Sequence, residues 1–208
     1  MSKRQEIVDT ATRLFESNGF HAVGVDTIIA ESKVAKMTMY RHFHKKNQLI
    51  VEVLNNREAY CAQSLAEYVN QHSSPIARIK SVFEWHENWF RNATFSGCMF
   101  AHAASEFNDD EDGIKSTAAT QKARLKSYIE ELLKHIVSPT EADRLSRLFI
   151  MLLDGATLTA QVMNQPEAAM EAWGLQKFYC ASQLTLSEAL EAFVLTNRYI
   201  ELACFTDL

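Results

Sequence analysis

Few side chains in this 208-residue chain stand at spacings that chemistry requires. Cys98 and His102 lie four residues apart, which on a helix puts both on one face, where a thiolate could be activated or a metal begun. Two ligands do not make a metal site, and a packed cysteine beside a hydrogen-bonded histidine is the other reading of the same pair. Residues 108–113, Asn-Asp-Asp-Glu-Asp-Gly, imitate the start of a calcium loop, but Ala119 stands at the twelfth place, where a bidentate carboxylate is required. They read as a solvated acidic loop. The cysteines, Cys61, Cys98, Cys180 and Cys204, form no C-x-x-C pair, and no phosphate-cradling glycine loop, nucleophile elbow or H-E-x-x-H occurs. We therefore expect no enzyme, no metal and no cofactor. A polar, basic and aromatic cluster remains, formed by Lys36, Met37, Thr38, Tyr40, Arg41 and His42, with Lys46 just beyond. On one short helix these side chains supply donors for phosphates and for base edges in a major groove.

The elements that must position this cluster are legible around it. Ile7, Ala11, Leu14 and Phe15 occupy one face of a helix, which Asn18-Gly19-Phe20 stops. Val25 and Ile28 begin a short second helix, and residues 32–35 make a tight turn into the third. Ile28, Ile29, Val34, Met39, Phe43 and Leu49 then complete a small core beneath the exposed cluster. Residues 1–50 hold eight Lys/Arg against five Asp/Glu, a charge of +3, in a chain whose total is −5; residues 51–208 must therefore carry −8. A basic end on an acidic body orients phosphate contacts to one end.

The stretch Ile7–Leu49 with this spacing resembles the TetR family of bacterial transcriptional regulators, the TetR/AcrR-like group. The resemblance implies an all-α fold, with an N-terminal three-helix helix-turn-helix DNA-binding domain over residues 1–48 and a helical ligand-binding and dimerisation domain over 49–208. By the same resemblance Thr38, Tyr40 and Lys46 would hold phosphates of double-stranded operator DNA. Lys36, Met37, Arg41 and His42 would face base edges, and Val25 would open the second helix at the DNA. The chain departs from the family at several places. Lys33 stands where the turn is usually glycine, Met37 where a small residue is usual, and Gly24, Ala35 and Lys45 replace Ser or Thr before three helices. Asn47 is a candidate cap for the fourth.

In the remainder, a helix from Pro75 to about residue 92 carries one apolar stripe of Ile76, Ile79, Phe83, His86 and Phe90 beside another of Val82, Trp85 and Trp89. Such a helix must be covered on more than one side. Plain core packing and a cavity wall are both open readings of the pattern; the resemblance implies a pocket for a small organic effector, drawn from Phe83, Trp85, His86, Trp89, Phe90, Cys98 and His102. Further helices are expected over about 114–136 and 140–164. The second leaves little polar face, so it requires cover from the domain and from a partner. Resemblance assigns it to a homodimer face containing Leu152, Ala156, Thr159, Met163 and, on the helix opened by Pro166, Phe178. A last amphipathic segment follows residue 184. With no contiguous apolar run of roughly 18 residues and no secretory signal, a cytoplasmic protein with no membrane partner is expected. The function implied is a ligand-responsive repressor released from its operator by a small organic effector. The alternative is a degenerate member acting as a ligand-binding or interaction dimer without DNA.

Overall fold

The computed structural model describes residues 2–110 and 112–182, with side chains as far as Leu175. Among the described residues all regular structure is helical. Helix α1, Lys3–Asn18, starts at Ser2, whose hydroxyl accepts from the Gln5 N–H at 3.2 Å. It ends where Gly19, at φ 79°, returns its N–H to the Phe15 carbonyl. Helix α2, Val25–Ser32, and helix α3, Lys36–His42, follow, and the bend between them runs through Lys33 at φ 54°. A lysine held in this left-handed region costs roughly 1 kcal/mol more than glycine would. The departure seen in the sequence is thus borne as backbone strain. Ile7, Ala11, Phe15, Ile28, Met39 and Phe43 are buried together beneath these helices.

Helix α4, Lys46–Val69, is long enough to serve two cores. Its first half supplies Leu49, Ile50, Val53 and Leu54 to the N-terminal core, and its second half supplies Leu65 and Val69 to the core of the body. Helix α5, Pro75–Phe90, begins under a Ser74 cap and helix α6, Met99–Glu106, follows a loop. Helix α7, Ile114–Leu133, repeats the double service, with Ile114 and Ala118 in the first core and Ile129, Leu132 and Leu133 in the second. Helix α8, Pro139–Met163, and helix α9, Ala168–Ser182, pack on α5 and on each other. The N-terminal core therefore does not stop at residue 48: α4, α6 and the start of α7 close it. By length and composition alone α8 could cross a bilayer, but Ala142, Leu145, Phe149, Leu153 and Ala160 are buried in the body core.

Element edges depart from the sequence expectation for identifiable reasons. Helix α7 stops at Leu133 because the chain tightens into a turn, Ile136 N–H to Leu133 O, before Ser138 caps α8. Pro166 does not open α9, which begins two residues later. The segment after residue 184 lies outside the described residues.

Candidate DNA-reading helix and internal cavity

On α3, Met39 points into the core, while Met37 is 83% exposed and Tyr40 40% exposed. Lys36 and Arg41 are exposed, Thr38 and His42 half-buried. Lys36 reaches Asp26 of α2 at 3.3 Å, an exposed pair worth little and easily given up to a phosphate. Arg41 has no ion-pair or hydrogen-bond partner among the described residues. Lys46, the first residue of α4, is half-buried, and burial holds its ammonium below the usual lysine range against the pull of Glu106. Val25 is at the first position of α2, half-buried, with its side chain packed against the N-terminal core. Gly24, Ala35 and Lys45 precede α2, α3 and α4 without any side-chain cap, and in α3 the Thr38 N–H turns back to the Ala35 carbonyl at 2.8 Å. Asn47 does not cap α4. Its amide donates instead to Asp112 at 2.6 Å, and Lys45 reaches the same carboxylate at 3.3 Å.

A carboxylate far along the chain fastens this unit to the body. Glu106, at the end of α6, accepts from the Phe20 N–H at 3.0 Å and the His21 N–H at 2.7 Å. His21 Nε2 donates in return to the Glu106 carbonyl at 2.8 Å, and its ring lies 4.6 Å from that of Phe107. The partners are 85 and 86 residues apart, so no local pattern could have revealed them. The acidic run before α7 has a similarly structural role. Asp110 accepts from the Ser116 N–H at 2.9 Å, covering the start of α7 that Gly113 leaves bare.

Between the two cores lies a cavity of about 180 Å³. The stretch of α4 between Leu54 and Leu65 and the stretch of α7 between Ala118 and Ile129 supply Arg57, Cys61, Gln121, Lys122, Arg124 and Tyr128 to its wall. Trp85, His86 and Trp89 enter from α5, and Cys98 stands at the start of α6. Phe83 and Phe90 correct the expectation: both are buried in the body core. The helical period turns Phe83 toward Phe149 at 5.6 Å and Trp173 at 5.5 Å, while Phe90 packs on Phe95 at 5.1 Å. His102 is also outside the cavity wall and meets Gln161 at 3.2 Å. Cys98 is the residue before α6 rather than part of it, so the helical spacing that would align it with His102 does not apply.

The polar chemistry of this cavity is unevenly satisfied. Arg57 pairs with Glu16 at 2.8 Å, Arg124 with Glu58 at 3.0 Å, and Lys122 with Asp154. Trp85 Nε1 donates to Ser64 at 3.1 Å. Burial pushes the Cys61 thiol up to about 11, which keeps it protonated. His86 donates from Nδ1 to the Val82 carbonyl at 2.7 Å, and burial lowers its pKa to about 4. The imidazole is thus neutral at pH 7, and Nε2 carries an acceptor lone pair. Gln121 Oε1 and Tyr128 Oη are sealed from solvent with no hydrogen-bond partner.

Along α8 the most exposed apolar side chains fall on a stripe beside the residues expected at a partner face. Ala156 is 6% exposed, covered by its own body core, and cannot present a surface. Leu152 and Thr159 are half-buried, and Met163 is exposed. Met151, Leu158 and Val162 are 64%, 60% and 72% exposed. With Gly155 they follow the 4-3-4 spacing of one helical stripe. The side chain of Phe178 lies outside the described residues.

Two family patterns match this chain: "Bacterial regulatory proteins, tetR family" over residues 7–53, and "Tetracyclin repressor-like, C-terminal domain" over residues 75–174. LmrA of Bacillus subtilis, an HTH-type transcriptional regulator, is 34% identical over 82 residues, covering 39% of this chain and 44% of LmrA. The aligned stretch is thus under half of that relative. The HTH-type transcriptional regulator BetI of Brucella melitensis is 23% identical over 185 residues, 88% of this chain and 92% of BetI. A TetR-family transcriptional regulator from Streptomyces coelicolor superposes with a TM-score of 0.75 at 26% identity, covering 82% of this chain and 89% of that one. With both family patterns laid over the helices that build the reading unit and the cavity, this chain belongs to the TetR family, a family of DNA-binding transcriptional regulators and not of enzymes.

Proposed function

We propose that this protein is a homodimeric repressor that leaves its operator when a small organic molecule fills the cavity between its two cores. Residues 1–48 act as the reading head and 49–208 as the sensing and pairing body, working in the cytoplasm, where the operator lies. The observation that carries this reading is the course of α6. Its first turn, with Met99 and Phe100, touches the cavity just after Cys98, and its last residue, Glu106, holds the turn between α1 and α2. A ligand that displaces the first turn must also displace that turn or break its hydrogen bonds. Either event moves α3 relative to the body. In a dimer it changes the distance between two reading helices, which must match half-sites about 34 Å apart or a multiple of that. Only a ligand that binds the displaced arrangement more tightly can shift the balance, and such couplings are commonly 1–3 kcal/mol.

On DNA, Lys36, Met37, Arg41 and His42 face base edges. Thr38, Tyr40 and Lys46 hold phosphates together with the uncapped amides before α2 and α4. Unsatisfied amide hydrogens at a helix start suit a phosphate oxygen. The absent Ser and Thr caps therefore favour DNA binding as much as they weaken the helices. Met37 offers apolar contact, such as to a thymine methyl, and no bidentate hydrogen bond.

The test is operator mapping with duplexes from the region upstream of the gene, followed by anisotropy titrations over a range of salt. Tyr40→Phe and Lys46→Ala should weaken binding to every duplex, with Lys46→Ala also lowering the salt slope by about one. Arg41→Ala should change preference at one base pair. No binding to any duplex at low salt would leave the alternative, a ligand-binding dimer without DNA.

A further inference from the structure

The wall of the cavity limits what the effector can be, and the inference here rests on the reading of that cavity as the effector site. Three cations and three carboxylates around it are spent on one another: Arg57 with Glu16, Arg124 with Glu58 and Lys122 with Asp154. A charged ligand would have to draw one of these groups from its present partner, whereas a neutral ligand leaves all three pairs in place. Among the described residues, the groups left open are of another kind. His86 has committed Nδ1–H to Val82 and keeps Nε2 as an acceptor; Gln121 Oε1 is an unpaired acceptor; Tyr128 Oη can donate or accept. What these groups lack is a neutral partner that donates.

Size and wall chemistry narrow this further. A cavity of about 150 Å³ lined by apolar side chains holds benzene, and this one measures about 180 Å³. One substituted ring is the matching volume. Trp85 and Trp89 stand side by side with ring centroids 6.2 Å apart and planes tilted by 34°, and Tyr128 enters from α7. Such walls favour offset or edge-on contact with another aromatic ring. We propose that the cavity takes a neutral, hydroxylated single-ring aromatic, a substituted phenol, whose hydroxyl donates to His86 Nε2 or, once the Gln121 amide turns toward the cavity, to Gln121 Oε1, and whose ring lies among Trp85, Trp89 and Tyr128.

The probes are four compounds sharing one ring and one methyl group: 4-methylphenol, 4-methylanisole, 4-methylbenzoate and 4-methylbenzylamine. Each is titrated into the full chain by calorimetry and by tryptophan fluorescence, with operator occupancy followed in parallel. The phenol should bind about tenfold or more tightly than the anisole, the factor expected when buried acceptors are left unpaired. It should also outbind both ions. Gln121→Leu, at a half-buried position, should shrink the phenol-to-anisole ratio to under about threefold where Gln121 is the acceptor. His86→Leu, once shown to fold by circular dichroism, should do so where His86 is the acceptor. Equal binding of phenol and anisole, tighter binding of either ion, failure of the phenol to bind, or a ratio unchanged in both Gln121→Leu and folded His86→Leu would overturn the proposal. Selective binding of the phenol with operator occupancy unchanged would support the ligand chemistry and overturn the release mechanism. Release of the operator by the benzoate or the benzylamine alone would overturn the ligand chemistry and keep the regulator.

Discussion

Individual residues carry both the clearest and the most hidden information in this chain. Lys33 was readable from its place in the turn, and its left-handed φ follows from the sharpness of the bend between α2 and α3. Glu106 was not readable, because its bonds to Phe20 and His21 depend on where α6 comes to rest. His86 lies between these cases. Its period marks an inward face, but a committed Nδ1 and a pKa near 4 follow only from burial among Trp85, Trp89 and Phe90. That burial has a testable cost. The unfolded histidine takes up its proton near pH 6.5 and the folded one only near 4, so stability is fully present above 6.5 and is lost as pH falls toward 4. Lys122 and Asp154 act on the ring with opposite sign. Between pH 7 and pH 5 the loss through this one group is about 2 kcal/mol. Urea unfolding of wild type and His86→Leu should therefore show a smaller drop in the variant over that interval. Parallel curves would mean that the ring is not buried in its neutral form.

At the level of elements, apolar periodicity located the helices well, because each buries a stripe on one face, and it erred where loops supply the caps. Helix α6 shows this: Gly97, at φ 96° beneath Gln161, turns the chain so that Cys98 ends up outside the helix. The cavity residues Trp85, His86 and Trp89 were legible as an aromatic face on α5. Arg57, Gln121 and Tyr128 were missed, since half-buried polar positions on α4 and α7 look like ordinary surface until the two helices are brought together. The same helix, α6, is where coupling should be sensitive. Glu106→Gln retains the shape but has a single acceptor oxygen, so one of the two backbone amides loses its partner. Ligand affinity should be unchanged, while the factor by which ligand weakens operator binding falls about three- to tenfold. Operator titrations with and without saturating ligand measure that factor, and an unaltered factor would remove α6 from the transmission route.

For the whole molecule, the apolar stripe Met151, Gly155, Leu158 and Val162 on α8 is the surface that a second copy would cover. The composition of α8 announced that it needs two partners, but not which face each would take. One residue of rotation separates Ala156, inside the body core, from Gly155 on the open side. Leu158→Glu should give monomers by analytical ultracentrifugation at concentrations where wild type is dimeric, with operator affinity reduced at least tenfold through loss of paired half-sites. A variant that stays dimeric would move the interface elsewhere. The position of the cavity has a longer-term consequence. Arg57, Gln121, Lys122 and Arg124 belong to neither hydrophobic cluster, so exchanging them leaves the apolar packing of both cores in place. Descendants of this scaffold can therefore acquire new chemical tastes one substitution at a time, while the genes they govern and the architecture they inherit stay the same.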